Sequence, residues 1–179
     1  MRASAFIVAG TSTRIIATPV VMALVLSHDY TAAAILFLVV AATDWFDGRL
    51  ARRWGVTSRL GSFLDTTADK LLVTGSLIAL VAVDRVSPWI ALIIISRELV
   101  VLGLRAAVAA SGQHLEASML GKWKATVQFV AIALAMLRPD VKIAGAFLDQ
   151  WLLVVAAVIT VWSGVEYFMR FSSSLRDST

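Results

Sequence analysis

Four aspartates lie close together in the sequence, within or beside long apolar stretches. Asp44 and Asp47 are three residues apart, and Asp65 and Asp69 are four apart. On an α-helix, residues at either spacing share one face. An ionisable side chain inside a membrane segment is costly and usually retained for function. Because carboxylates are present without histidine or cysteine nearby, the pattern favours Mg²⁺ or Mn²⁺, and four carboxylates make two ions, about 3.5–4 Å apart, plausible.

Small residues and arginines separate the two aspartate pairs. Gly48 and Gly61 remove side chains beside the carboxylates and leave room for a bulky ligand. Three arginines carry donors suited to phosphate oxygens, namely Arg52, Arg53 and Arg59. Together these residues predict a site where metal ions and arginines bind a diphosphate. The alternative interpretation is a salt-bridged polar seam between two helices, next to a positively charged loop.

The composition indicates an integral membrane protein. Of its 179 residues, 59% are hydrophobic and 16% are charged, against about 45–50% and 25% in soluble domains. Turn formers and charges divide the chain into six apolar segments, each long enough for a membrane span of roughly 20 residues. The segments are 6–27, 30–53, 62–83, 87–110, 118–137 and 145–169. We expect an all-α polytopic fold, with residues 1–171 as one six-helix catalytic domain and residues 172–179 as a polar C-terminal tail.

Lysine and arginine are unevenly distributed between the two sides of the predicted spans. The breaks after the first, third and fifth segments, with their flanks, hold Arg85, Arg138 and Lys142. The other side holds Arg2, Arg52, Arg53, Arg59, Lys122, Lys124, Arg170 and Arg176. By the positive-inside rule, both termini are expected in the cytoplasm, and the intramembrane aspartate site faces it. The basic residues are scattered along apolar runs without a recognition module, so no nucleic-acid partner is expected.

The short break from residue 54 to residue 61 predicts that the second and third segments are antiparallel neighbours. The four carboxylates could then converge. The full pattern resembles the signature of the CDP-alcohol phosphatidyltransferase family, which is matched at all eight fixed positions: Asp44, Asp47, Gly48, Ala51, Arg52, Gly61, Asp65 and Asp69. Four longer stretches resemble a bacterial branch of that family: TDWFDGRLARR, FLDTTADK, ISRELVVLGLR and GKWKATVQ.

The resemblance implies an enzyme that transfers a phosphatidyl group from CDP-diacylglycerol to sn-glycerol 3-phosphate and releases CMP. Asp44, Asp47 and Asp65 would hold the metal ions, while Asp69 would complete the metal site and act as the base. The residues that would contact the CDP moiety or leave room for it are Gly48, Ala51, Arg52, Ser58 and Gly61. The resemblance further implies a homodimer in the bacterial inner membrane, in contact with membrane lipids.

A second group of basic residues is expected to bind the phosphate of the acceptor. Arg97 lies near the middle of the fourth segment, where an arginine needs an anionic partner. The resemblance implies that this partner is the acceptor phosphate; the alternative is an ion pair with Glu98. Arg105, Lys122 and Lys124 could contribute to the same site or serve as positive-inside anchors.

Two other functions are compatible with the sequence. The same chemistry could use another acceptor, either phosphatidylglycerol, as in a cardiolipin synthase, or inositol phosphate. A more distant alternative is a divalent-cation transporter that uses the aspartates as its transport site. The spacing of Gly48, Arg52 and Gly61 counts against transport, because a cation pathway has no use for an arginine beside its carboxylates.

Overall fold

A computed structural model describes the backbone of residues 2–53, 59–110, 119–143 and 145–176, and the side chains of residues 12–43, 66–108, 125–143 and 145–169. It contains six helices: α1 (Arg2–Leu26), α2 (Tyr30–Arg53), α3 (Arg59–Ala82), α4 (Pro88–Ala110), α5 (Met119–Leu137) and α6 (Leu148–Arg176). The expectation of a helical fold is confirmed, and each helix overlaps one predicted segment. Helix α6 extends to Arg176, so it enters the predicted tail; the division into a domain and a tail stays a prediction.

A short β-hairpin, which is not predictable from the apolar pattern, precedes α6. Strand β1 (Lys142–Ile143) pairs antiparallel with β2 (Ala146–Phe147). Its turn includes Gly145 at a φ of 84°, a conformation that glycine adopts without steric cost. The indole N–H of Trp151 donates to the Ile143 carbonyl at 2.9 Å and so ties the hairpin to the first turn of α6.

Three helices are followed by a residue with positive φ, and the third of these residues is Arg138 after α5, with a φ of 42°. His28 follows α1 with a φ of 65°, and the next N–H, that of Asp29, donates back to the Leu24 carbonyl at 2.9 Å. Asp84 follows α3 with a φ of 55°. This geometry satisfies carbonyls that the end of a helix leaves unpaired. The Asp29 carboxylate then accepts the Ala32 N–H at 3.2 Å and caps the start of α2.

The helices pack in a closed ring. Helix α1 contacts α2 and α3, α4 contacts α3 and α6, and α5 contacts α6 and α2, while α3 also reaches α5. Among the described residues, α2 and α3 both pack against α1 rather than extensively against each other. The two helices were expected to be direct neighbours. Because the side chains of residues 44–65 lie outside the described part, their approach at the motif stays a prediction.

The contact between α1 and α3 is close because Gly75 has no side chain. A Cβ atom at this position would lie only 2.6 Å from Thr18 Cγ2, well inside van der Waals contact. Small residues at helix crossings are typical of membrane proteins, where close packing drives helix association. Gly75 therefore sets the separation of the helix that carries Asp69 from α1.

The outer faces of the bundle are apolar. Large hydrophobic side chains stand exposed along several helices, including Ile16 at 66% and Trp162 at 71%. Within the described residues, one helical stretch, Leu148–Met169, is long and apolar enough to cross a membrane; shorter apolar stretches are Ser12–Leu26, Tyr30–Thr43 and Ala125–Leu137. So much exposed apolar surface is not typical of a soluble monomer and fits a helix bundle surrounded by lipid.

Charged side chains join the α3–α4 connection to the end of α5 and the start of α6 at one end of the bundle. Arg85 Nη1 donates to the carbonyls of Met136 at 2.5 Å and Ala135 at 3.3 Å. Arg138 Nη2 donates to the Arg85 carbonyl at 2.9 Å, and Arg138 Nε lies 3.5 Å from the fully buried carboxylate of Asp149. We refer to Arg85, Arg138 and Asp149 as the hairpin-end cluster.

Candidate active site

The motif residues lie on the ends of α2 and α3 that face the 54–58 connection. Asp44, Asp47, Gly48, Ala51 and Arg52 belong to the last part of α2, and Gly61, Asp65 and Asp69 belong to the first part of α3. The helical backbone therefore gives both aspartate pairs the spacing of a shared face. Ser58 lies outside the described residues, and so do the side chains of residues 44–65.

Asp69 is the motif aspartate whose side chain is described. Its carboxylate is 24% exposed, and its Oδ2 lies 3.4 Å from Lys70 Nζ. Among the described side chains, no group of three or more acidic, histidine or cysteine residues could hold a metal ion; the other three motif aspartates are not among them. Asp69 is thus accessible enough to meet a substrate and lies beside a positive charge.

Lys70 connects the start of α3 to α4. Its Nζ lies 2.5 Å from Glu98 Oε2, and the Glu98 side chain is only 1% exposed. A buried carboxylate requires a cation or several hydrogen bonds to offset the loss of hydration. Lys70, which follows Asp69, therefore lies closer to the Glu98 carboxylate than the neighbouring Arg97 does.

Arg97 points towards α6. Its Nη2 donates to Ser163 Oγ at 2.6 Å, whereas its Nη1 lies 3.5 Å from Glu98 Oε1. Adjacent residues of a helix are about 100° apart around its axis, and α4 packs between α3 and α6. Glu98 consequently faces α3 while Arg97 faces α6. The sequence suggested the acceptor phosphate or Glu98 as the partner of Arg97. The structure places Glu98 at the edge of ion-pair distance from it.

Arg105 also faces α6. Its guanidinium carbon lies 5.4 Å from the centre of the Tyr167 ring, which is within the range of a cation–π interaction. Tyr167 is buried, while Arg105 is exposed. Lys122 and Lys124 lie in the first two turns of α5, but their side chains are outside the described part.

Three residues near the site were not assigned a role from the sequence: Lys70, Ser163 and Tyr167. Lys70 directly follows Asp69, which was a readable signal for a charge partner. Ser163 and Gly164 are small residues inside a long apolar stretch of α6, and small residues in such stretches often mark close helix contacts. The sequence does not say which helix they contact.

Comparison with known proteins gives a consistent result. Residues 9–162 match the sequence profile of a family described as CDP-alcohol phosphatidyltransferase. The chain is 42% identical over 151 residues to the CDP-diacylglycerol–glycerol-3-phosphate 3-phosphatidyltransferase of Bacillus subtilis (strain 168), covering 83% of this chain and 78% of the relative. It is 41% identical to the protein of the same name from Escherichia coli (strain K12), with 82% and 81% covered.

Proposed function

The chain belongs to the CDP-alcohol phosphatidyltransferase family, and on that premise we propose that it transfers a phosphatidyl group from CDP-diacylglycerol to sn-glycerol 3-phosphate. The products are phosphatidylglycerophosphate and CMP. The observation that carries the proposal is the complete aspartate motif from Asp44 to Asp69 inside a chain about 40% identical to relatives with this named activity. Family membership makes the protein an enzyme of phospholipid synthesis rather than a cation transporter.

The proposed reaction exchanges one oxygen–phosphorus bond for another. The acceptor hydroxyl attacks the phosphorus that carries the diacylglycerol, a new P–O bond forms, and the diphosphate bond to CMP breaks. Asp69 takes the proton from the attacking hydroxyl and later releases it to water. General-base help of this kind contributes about 10²–10⁴-fold. The partial exposure of the Asp69 carboxylate supports this role, since the base must reach a water-soluble acceptor.

The donor set fits Mg²⁺ or Mn²⁺. The motif supplies only carboxylate oxygens, the ligands that these hard ions prefer, and the chain contains no cysteine. The family generally depends on a divalent metal. We assign Asp44, Asp47, Asp65 and Asp69 as ligands of two ions. When bound, such ions neutralise the diphosphate and stabilise charge on the departing CMP.

The remaining motif residues are assigned to the CDP moiety. Arg52 and Ser58 would donate to its phosphates and sugar, and Gly48 would let its backbone approach the nucleotide. Ala51 and Gly61 would leave the space that it fills. All five lie at the end of α2, at the start of α3 or in the connection between them, and this placement supports a single nucleotide site at that end of the bundle.

The basic residues of α4 and α5 are assigned to the acceptor phosphate. Arg97 is nearly buried, with 13% of its side chain exposed, and its donors are suited to a phosphate dianion. Arg105, Lys122 and Lys124 would add positive charge towards the cytoplasm. A charged acceptor explains two arginines on one apolar helix better than an uncharged acceptor such as inositol does.

We further propose that all six helices cross the inner membrane of a bacterium, with both termini in the cytoplasm. The apolar outer faces of the helices and the uneven distribution of lysine and arginine support this arrangement. The donor's acyl chains would stay among membrane lipids while its cytidine reaches the site from the cytoplasm. The enzyme would act as a homodimer, as the family resemblance implies.

The proposal is tested by measuring CMP release from CDP-diacylglycerol by the purified protein in detergent with Mg²⁺. The acceptors compared are sn-glycerol 3-phosphate, inositol phosphate, inositol and phosphatidylglycerol, and a chelator control removes the metal. We expect metal-dependent release with sn-glycerol 3-phosphate. Release only with another acceptor would refute the proposed acceptor, and no release by folded protein with any of them would refute the assigned chemistry.

A further inference from the structure

A continuous run of polar side chains crosses three helices between Asp69 and Ser163. Asp69 Oδ2 lies 3.4 Å from Lys70 Nζ, which lies 2.5 Å from Glu98 Oε2. Glu98 Oε1 is 3.5 Å from Arg97 Nη1, and Arg97 Nη2 donates to Ser163 Oγ at 2.6 Å. We call these five residues the Asp69–Ser163 chain. It joins α3, α4 and α6 through the side chains of residues that are far from the ends of these helices.

Helix α6 supports Arg97 by packing as well as by a hydrogen bond. A Cβ atom at Gly164 would lie 3.2 Å from Arg97 Cγ and 3.7 Å from its Nε. A distance of 3.2 Å is tighter than ordinary van der Waals contact, so even alanine at this position would displace the arginine stem or move α6 away. Gly164 therefore leaves the space that the Arg97 side chain fills, and the Ser163 hydroxyl accepts a hydrogen bond from the tip of the guanidinium.

The partners of Arg97 leave part of its donor capacity for a ligand. A guanidinium carries five N–H donors. Its Nη2 is bound to Ser163, its Nη1 makes only a long contact with Glu98 at 3.5 Å, and 13% of the side chain is exposed. Glu98 could neutralise the arginine, but its closer ion pair with Lys70 draws that carboxylate towards α3. Ser163 has no charge, so it orients the guanidinium without cancelling its charge.

We infer that Ser163 and Gly164 of α6 are positioning residues that fix the Arg97 guanidinium relative to Asp69, so that the acceptor phosphate is held where the acceptor hydroxyl reaches Asp69. The inference rests on the proposed function. Asp69 receives the proton of the attacking hydroxyl, and Arg97 binds the phosphate at the other end of the same small molecule. The Asp69–Ser163 chain holds those two points at one separation.

The test uses the full-length enzyme in detergent and compares three variants. Ser163→Ala removes the hydroxyl, Gly164→Ala adds the displacing methyl, and Ser163→Thr keeps the hydroxyl. The matched control is Thr160→Val. Thr160 is fully buried on the same helix, one turn earlier, and its hydroxyl has no hydrogen bond in the described part. The measurements are KM and kcat for sn-glycerol 3-phosphate, KM for CDP-diacylglycerol, and melting temperature.

We expect Ser163→Ala and Gly164→Ala to raise the acceptor KM about three- to tenfold. This is the size of effect expected for one hydrogen bond, and the two residues act on the acceptor only through Arg97. The donor KM should stay within about twofold, because no part of the CDP moiety is assigned to α6. Ser163→Thr should restore most of the acceptor affinity, and Thr160→Val should leave both constants unchanged.

Unchanged acceptor KM in both Ser163→Ala and Gly164→Ala would overturn the inference. So would equal increases in the KM of acceptor and donor, or the same acceptor effect in Thr160→Val, because each would indicate general loosening of the bundle. If the wild-type enzyme releases CMP only with an unphosphorylated acceptor, the proposed function itself fails and the inference falls with it. The wild-type assay therefore separates the two failures.

Discussion

The hairpin-end cluster and the Asp69–Ser163 chain both contain arginine and a fully or almost fully buried carboxylate, but they use different partners. At the hairpin end, Arg85 and Arg138 donate to backbone carbonyls. In the Asp69–Ser163 chain, the contacts that link the five residues join one side chain to another. Backbone carbonyls at the end of a helix need donors in any folded state. A single hydroxyl holds Arg97 and leaves other donors of its guanidinium for a ligand, so the second arrangement is suited to binding.

The positions of the two groups reinforce this difference. Arg85 bonds to the last carbonyls of α5, where the negative end of the helix dipole also favours a cation, and it stacks 3.4 Å from the Tyr30 ring centre. It thereby joins the connections between helices. Arg97 lies within α4, where no helix end requires it. The positive charge of Arg97 is therefore not explained by helix capping, whereas binding of an anionic substrate does explain it.

The largest effect is expected from Asp69→Asn. This change removes the proposed base and one proposed metal ligand. Loss of the base alone should lower turnover by about 10²–10⁴-fold. CMP release with sn-glycerol 3-phosphate measures it. Because Asp69 is partly exposed and its lysine partner keeps Glu98, the melting temperature should change little. Turnover near the wild-type level would show that Asp69 is not the base. It would also weaken the distinction between a structural hairpin-end cluster and a substrate-binding Asp69–Ser163 chain.

The sequence could predict the helices but not their arrangement. Each of the six segments read from apolar length and turn residues overlaps one helix, although α6 continues to Arg176. The hairpin at residues 142–147 was missed because strands of two residues carry no periodicity. The link between Ser163 and Arg97 joins residues 66 positions apart, and only the packing of α4 against α6 brings them together. The aspartate motif was readable because its members are local in the sequence.

Glu98→Gln should affect both stability and acceptor use. Glu98 is almost fully buried and pairs with Lys70, and breaking a buried ion pair costs about 3–5 kcal/mol. Since Lys70 is partly exposed, we expect the lower end, about 3 kcal/mol, seen as a lower melting temperature. The acceptor KM should rise as well, because the glutamine no longer holds Lys70 and Arg97 in place. A lower melting temperature with unchanged acceptor KM would make Glu98 purely structural.

Asp149→Asn provides the matched change at the hairpin end. Asp149 is fully buried, and its ion pair with Arg138 is long, at 3.5 Å. The loss of a charged partner to a buried group should cost about 1–3 kcal/mol in stability. The acceptor and donor KM of the folded variant should equal those of the wild type, because Asp149 precedes Ser163 on α6 by 14 residues, about 21 Å along the helix. A changed acceptor KM would show that the two ends of the bundle are coupled.

The smallest effect is expected at Tyr167, which lies beneath Arg105. The ring contact of 5.4 Å is worth about 0.5–1 kcal/mol at an exposed arginine, so Tyr167→Leu should raise the acceptor KM about two- to fivefold. Tyr167→Phe is the control: it keeps the ring and removes a buried hydroxyl that makes no hydrogen bond in the described part. We expect phenylalanine to match the wild type in acceptor KM and in melting temperature. If phenylalanine and leucine raise the acceptor KM equally, the hydroxyl rather than the ring supports the site, and Arg105 is positioned by something other than its contact with α6.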